Sequence, residues 1–356
     1  MKIGLVGLPN SGKTAVFNAL TRSHADVTAY ATAKAEPNIA VVDVGDERVS
    51  RLSELYKPRK TAYATIDIVD FIGLTQGASK DQTMSAEVLR LLRTMDALAV
   101  VVRNFDDPAG ETPAPETDME MLAEEFLLSD LIIAEGRLER IEAGYKRGQK
   151  SPALAAEEKA LRRAADQLNA MQPLRELDFS PEEQKILRGF QFLTLKPAIA
   201  ILNSSEEAFG RSEATLEAIG RRFPAIEFAG AFEMELAQLD SAEDAEAFMR
   251  DMGITESARD RLTQIAYLAM GYISFFTVGE DEVRAWQIRR DSTAVEAAGA
   301  IHTDLARGFI RAECFHYDDL IACGSEKAIK ERGLLRLEGK DYIVKDGDIL
   351  SIRYNV

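Results

Sequence analysis

Gly7-Leu8-Pro9-Asn10-Ser11-Gly12-Lys13-Thr14 is the stretch that decides the fold. It follows directly on Lys2–Val6, an apolar run of strand length, and a helical pattern continues through Val16, Phe17 and Leu20. A strand, a G-x-x-x-x-G-K-[ST] loop and a helix in that order form a phosphate-binding loop. The chemistry sets the spacing. Gly7 and Gly12 permit backbone conformations that turn successive N–H groups inward around phosphate oxygens. Lys13 reaches the β- and γ-phosphates, Thr14 offers a hydroxyl to Mg²⁺, and the helix adds the positive end of its dipole. Asn10, Ser11, Gly12, Lys13, Thr14 and Ala15 are therefore the expected phosphate-binding set. A chance glycine turn would need neither the strand before it nor the helix after it.

Further along, residues 64–69 (ATIDIV) read as a second strand that ends in Asp70-Phe71-Ile72-Gly73. An aspartate there can hold Mg²⁺, with Thr14 as the other metal ligand, and Gly73 can offer its N–H to a γ-phosphate. Leu74 stands beside Gly73, where many GTPases place a glutamine that orients water, and a leucine cannot do so by hydrogen bonding. Residues 197–202 (PAIAIL) are a third strand pattern, running into Asn203-Ser204-Ser205-Glu206. Loops that read the base sit at such strand ends. The guanine-specific version is Asn-Lys-x-Asp, whose short carboxylate accepts from two guanine donors that adenine lacks. Asn203, Ser204 and Glu206 keep the spacing without the lysine or the short acid, so the guanine contact is not clearly built. A fourth strand pattern, 226–229, leads to Gly230-Ala231-Phe232, a small-residue turn able to close over a base.

Composition narrows the partners. The 356 residues carry 43 Lys and Arg against 59 Asp and Glu, a net charge of −16 that excludes a generally basic DNA-binding protein. Apolar residues at 46% suffice for real cores. Cys314 and Cys323 cannot make a disulfide framework and fit a reducing compartment. No segment approaches the ~20 apolar residues of a membrane-spanning helix. Glycines and a proline interrupt the N-terminus before a signal-peptide core could form. A cytoplasmic location is expected. With three histidines in all, and none between His24 and His302, no Ser/His/Asp arrangement is visible.

The expected fold class is α/β, a mostly parallel sheet formed by residues 1–118 and 196–272. Between them, residues 119–195 show apolar residues at helical spacing in two runs joined by a polar turn at 144–152, an antiparallel helical hairpin. Residues 135–163 hold eight Lys or Arg against five Asp or Glu, which suits a solvated hairpin surface or contact with RNA phosphate. From 273 to 356 the pattern changes to short strands, at 273–278, 283–288, 309–314, 335–337, 341–344 and 349–354. They surround a helix that opens with the capping box Thr293-x-x-Glu296. Trp286 falls in one of these strands, where a core role outweighs a base-stacking one.

Taken together, GLPNSGKTAVFNALT (7–21), EPN (36–38), VDFIGLTQGASK (69–80), QFLTLKP (191–197) and NSSE (203–206) resemble the YchF/Obg-like ATPases. So do EVRAW (282–286), IHTD (301–304), GFIRAE (308–313) and RLEGKDYIVKDGDIL (336–350). The order is kept along almost the whole chain. The resemblance implies a P-loop NTPase core with an inserted helical hairpin and a C-terminal TGS domain of the β-grasp type. It further implies ATP in preference to GTP, since the family carries Asn-x-x-Glu in its base loop, and association with the ribosome or its RNA through the hairpin and TGS domain. Three departures concern hydrolysis. The family's switch threonine falls on Lys34, with Thr32 out of register. DQTMSA (81–86) replaces a glycine-rich stretch. The family's proposed histidine, expected after the strand near residue 103, is missing. Slow hydrolysis is therefore expected, with Lys34 and Leu74 the positions where catalysis would be replaced or lost. The alternatives are a hydrolysis-deficient binding module acting through the hairpin and TGS domain, and a GTPase.

Overall fold

Runs of consecutive apolar residues become the parallel strands of one sheet. β1 (Lys2–Val6), β4 (Thr65–Asp70), β5 (Ala97–Asn104), β6 (Ala198–Ser204) and β7 (Ala225–Phe228) pair in parallel, with β2 (Asn38–Asp43) at one edge. The order is β2-β4-β1-β5-β6-β7. All seven residues of β6 are buried, which is why it reads as a run rather than an alternation. The computed structural model describes residues 1–21, 37–71, 84–106, 111–239 and 258–355, together with 244, 247, 249 and 250. Among these, no helix is long and apolar enough to cross a membrane.

The chain forms two compact units, residues 1–41 with 67–259 and residues 42–66 with 260–356. In the first, α1 (Lys13–Thr21) follows the phosphate loop. α3 (Ala86–Leu92) packs Val88 and Leu92 against Val69, Leu98 and Val100 of the sheet. α4 (Pro115–Lys146) runs 32 residues, about 48 Å at ~1.5 Å per residue. Its first turns bury Met119, Leu122 and Phe126 in the core of the sheet. Further on, Leu127, Ala134 and Ile141 share a second core with Leu161, Ala165 and Leu168 of α5 (Pro152–Asn169). The hairpin is thus rooted in the first unit and does not stand apart as residues 119–195. Proline at the start of each helix and the Ser151 hydroxyl, which accepts from Leu154 N, fix the ends.

Part of the hairpin's basic surplus is neutralised internally. Arg137 donates to both oxygens of Glu157, Arg162 pairs with Glu142 and Glu158, and Arg163 pairs with Glu183. At the hairpin's base, Asp130 is fully buried beside Arg93, whose Nη1 donates to it at 2.6 Å. The same carboxylate accepts from Leu193 N, Thr194 N and Thr194 Oγ1 at 3.0, 2.8 and 2.8 Å.

The second unit holds a sheet of β3 (Lys60–Ala62), β8 (Tyr272–Thr277), β9 (Glu282–Arg289), β10 (Phe309–His316), β11 (Arg336–Glu338) and β12 (Asp348–Tyr354). They run in the order β11-β10-β12-β8-β9-β3. Residues 42–66 belong here rather than with residues 1–118. β3 pairs in parallel with β9, Arg59 N donates to Glu280 O, and Arg48, in α2 (Glu47–Tyr56), bridges Asp46 and Asp346. Thr293 and Glu296 form the expected capping box at the start of a helix over Ala294–Ile301. The expected strand at 341–344 does not form. That segment makes only a bridge between Thr293 and Ile343, because a turn at 345–348 takes over, where Lys345 N donates to Asp348 Oδ2. Trp286 is half-buried, its ring stacked on Phe275, and its Nε1 donates to Thr277 Oγ1 at 2.9 Å. Cys314 is buried and Cys323 is partly exposed.

Candidate functional site

The parallel strands deliver their C-terminal ends to one edge of the sheet, where ligands bind in folds of this kind. The phosphate loop leaves β1 there and turns through Asn10, held at φ 61°, and Gly12 at φ 82°. Asparagine tolerates this left-handed region better than most residues. Gly7 is required for a different reason, since a Cβ there would strike the Val101 carbonyl oxygen and the Ser11 hydroxyl. Ser11 N donates to Leu8 O and Val16 N to Gly12 O, which closes the loop onto the first turn of α1.

Lys13 lies inside this loop, with Nζ donating to Gly7 O at 3.0 Å and Leu8 O at 2.8 Å. Removal from water pulls its pKa down to about 8, against the opposing pull of the Asp70 carboxylate. Asp70, fully buried at the end of β4, is pushed up to about 6 by the same loss of solvent, although Lys13 and the Thr14 hydroxyl favour its charged form. Thr14 Oγ1 donates to Asp70 Oδ2 at 3.3 Å, a long bond. Among the described residues, Asp70 Oδ1 is buried without a hydrogen-bond partner. A buried, orphaned carboxylate oxygen beside a hydroxyl and a phosphate loop fits a divalent cation, and Mg²⁺ characteristically takes one or two such ligands and completes its shell with phosphates and water.

Asn203, at the end of β6, has a bracing role. Its Nδ2 donates to Ser11 O at 3.1 Å and its Oδ1 accepts from Gly230 N at 3.1 Å, so one side chain ties the phosphate loop to the turn after β7. A Cβ on Gly230 would press against Asn203 Oδ1 at 2.8 Å and reach Ala15 Cβ at 3.5 Å, so only glycine fits without a shift. Ala231 is the second residue of the helix Gly230–Gln238.

Two regions of the chain match described families. Residues 2–134 match one described as 50S ribosome-binding GTPase, and residues 272–355 match YchF-GTPase_C, described as a protein of unknown function (DUF933). The ribosome-binding ATPase YchF of Bacillus subtilis (strain 168) is 36% identical over 365 residues, spanning 99% of both chains. That of Escherichia coli O157:H7 is 37% identical over 364 residues, spanning 100% of this chain and 99% of its own. The structure of the Schizosaccharomyces pombe YchF GTPase aligns with a TM-score of 0.87 at 32% identity, covering 99% of this chain and 97% of that one. The chain belongs to the YchF/Obg-like ATPase family.

In this YchF/Obg-like chain the structure brings together most of the residues singled out from sequence: the loop 10–15, Asp70, Asn203 and Gly230. Ser204 departs from the expected base contact. Strand alternation turns it away from Asn203, and its buried hydroxyl donates to Glu227 Oε1 at 2.6 Å. Glu206 is exposed on the turn that follows. Lys34, Gly73 and Leu74 lie outside the described residues, as does Thr32. Sequence reasoning passed over Glu227, whose one visible sign is an acid inside the apolar run Ile226-Glu227-Phe228.

Proposed function

We propose that this protein is an Mg²⁺-dependent nucleotide switch that binds ATP in preference to GTP and acts at the ribosome. The observation that carries the reading is the buried Asp70 Oδ1, without a hydrogen-bond partner among the described residues, beside Thr14 and Lys13 at the strand ends. Lys13 would exchange its two loop carbonyls for phosphate oxygens, and Thr14 and Asp70 would hold the metal, whose charge would offset that of the phosphates. Preference for ATP rests on Asn203-x-x-Glu206, since the longer, exposed acid does not reproduce the short aspartate that reads guanine. Relatives named as ribosome-binding ATPases support both the nucleotide and the partner. In a competition titration ATP should displace labelled nucleotide at lower concentration than GTP, and Glu206→Ala should bring the two together. Equal affinities in the unmodified protein would overturn the preference.

The position of Asp70 gives the pH dependence its sign. Above a pKa of about 6 the carboxylate is ionised and free to bind metal, and below it a proton must be displaced. The Mg²⁺-dependent part of nucleotide affinity should therefore fall by about tenfold per pH unit below 6 and stay flat above 7. Titrations with Mg²⁺ and with chelator from pH 5 to 8 would measure it.

A second reading, a binding module with little turnover, is favoured by Leu74 and Lys34 in the sequence. Single-turnover hydrolysis at saturating Mg²⁺-ATP should be slow in the unmodified protein and rise in Lys34→Thr. A fast rate that the substitution lowers would make Lys34 the group that assists hydrolysis.

A further inference from the structure

The turn that carries Glu206 is fixed from the neighbouring strand. Glu227 lies in β7, where Leu202 of β6 is its register partner, and its side chain is buried. Its Oε1 accepts from the Ser204 hydroxyl at 2.6 Å, at the start of the turn. Its Oε2 accepts from Gly210 N at 2.9 Å, at the end of the turn, where Gly210 adopts φ 75°. The clamp extends across the sheet. Asn104, paired with Ser204 in the β5–β6 register, donates from Nδ2 to Ser204 Oγ and to Ser212 Oγ, each at 2.8 Å. Ser212 in turn donates to Ala208 O at 3.2 Å, and Ser205 N donates to Asn104 O at 3.3 Å. The network joins the C-terminal ends of β5, β6 and β7 to the segment 205–212 that follows Asn203 and Ser204.

A carboxylate in an otherwise apolar strand costs free energy unless its oxygens are hydrogen-bonded, and an apolar residue would continue the run more cheaply. What the acid supplies is a rigid link between the two ends of a six-residue turn. We infer that Glu227 is a positioning residue for base recognition, holding the 205–210 turn so that Glu206 meets the edge of the purine. It touches no nucleotide itself; it acts through Ser204 and Gly210. This inference rests on reading Asn203-x-x-Glu206 as the base loop. A loop left to sample several conformations would present Glu206 less consistently and so discriminate bases less sharply, whereas the phosphate loop, held by Asn203 and its own glycines, would be unaffected.

The test uses the full-length protein with three probes: ATP, GTP and inorganic tripolyphosphate, which has no base. In Glu227→Ala the ATP-over-GTP affinity ratio should fall by about tenfold, with tripolyphosphate binding unchanged. Glu227→Gln keeps an acceptor for Gly210 N and should restore most of the ratio. Ser204→Ala cuts only the first link and should give an intermediate loss. A folded Glu227→Ala with an unchanged ratio overturns the inference, and so does an equal loss for all three probes, which would mark a merely structural role. If Glu227→Ala does not fold, an unchanged ratio in both other variants overturns it. A ratio near one in the unmodified protein overturns the base-loop reading and this inference together. A strong ratio that Glu206→Ala abolishes but the Glu227 variants do not overturns the inference alone.

Discussion

Lys13→Ala should weaken ATP binding by about a hundredfold or more and leave the circular dichroism spectrum unchanged. In the structure Nζ is satisfied by two carbonyls of its own loop, Gly7 O and Leu8 O. On binding it would trade these neutral acceptors for charged phosphate oxygens, and charge-assisted hydrogen bonds of this kind are worth ~1.5–3 kcal/mol each. The loop's path does not depend on the lysine. It is set by Gly7 against the Val101 carbonyl, by the φ values of Asn10 and Gly12, and by Asn203 on Ser11 O. A second consequence follows from Asp70. Lys13 is the nearby positive charge that draws the Asp70 pKa down against burial, so its loss should move the acid limit of Mg²⁺ dependence above 6. Isothermal titration of both proteins at several pH values would measure both effects. Unchanged ATP affinity in a natively folded variant would remove the phosphate-loop assignment.

Asp130→Ala should be the most destabilising single change at the root of the hairpin. The carboxylate is fully buried and accepts four hydrogen bonds, from Arg93, Leu193 N, Thr194 N and Thr194 Oγ1. Removing it takes the countercharge from the largely buried Arg93 guanidinium, which keeps the neutral acceptors Gln191 O and Ser129 Oγ, and leaves two backbone N–H groups without their acceptor. Breaking one side of a buried pair costs about 3–5 kcal/mol. For a unit of this size that lowers the melting temperature by about 10 °C. The double variant Arg93→Met with Asp130→Leu should recover part of the loss, since neither charge is then left alone, while the N–H groups of Leu193 and Thr194 still lack their acceptor. Thermal melts of the three proteins decide it. A drop of a degree or less in Asp130→Ala would show that the hairpin root is held by its apolar contacts alone.

The features legible in the sequence are those whose cause is local. A phosphate loop needs its glycines, lysine and threonine at fixed spacing, so residues 7–14 could be read directly. Strands buried on both faces must be apolar throughout, which exposed β5 and β6 as runs. Long helices repeat their apolar residues every three or four positions, and the two hairpin helices were visible for that reason. Capping is equally local, as Thr293 and Glu296 show. The resemblance to one family extended this reading along the chain, since it compares whole motifs rather than single periods.

Contacts between distant segments decided the rest. Residues 42–66 look like part of the first domain because they lie between β1 and β4 in sequence, yet β3 finds its partner in β9 more than two hundred residues later. Backbone pairing depends on register and proximity, which composition does not encode. The segment 341–344 has the aromatic and β-branched residues of a strand, but a turn follows it and it forms a single bridge in place of a ladder. Among the site residues, Asn203 and Ser204 are neighbours in sequence with opposite fates. The two-residue period of a strand sends one to the phosphate loop and the other to Glu227. Asp70 could be named from its place at a strand end, but the oxygen that suits it to a metal depends on burial, which removes water, and on the described residues supplying a partner for just one of its two oxygens. The sequence by itself determined which chemistry is present; the tertiary structure decided which groups are left unsatisfied for a ligand and which are consumed in holding the site in place.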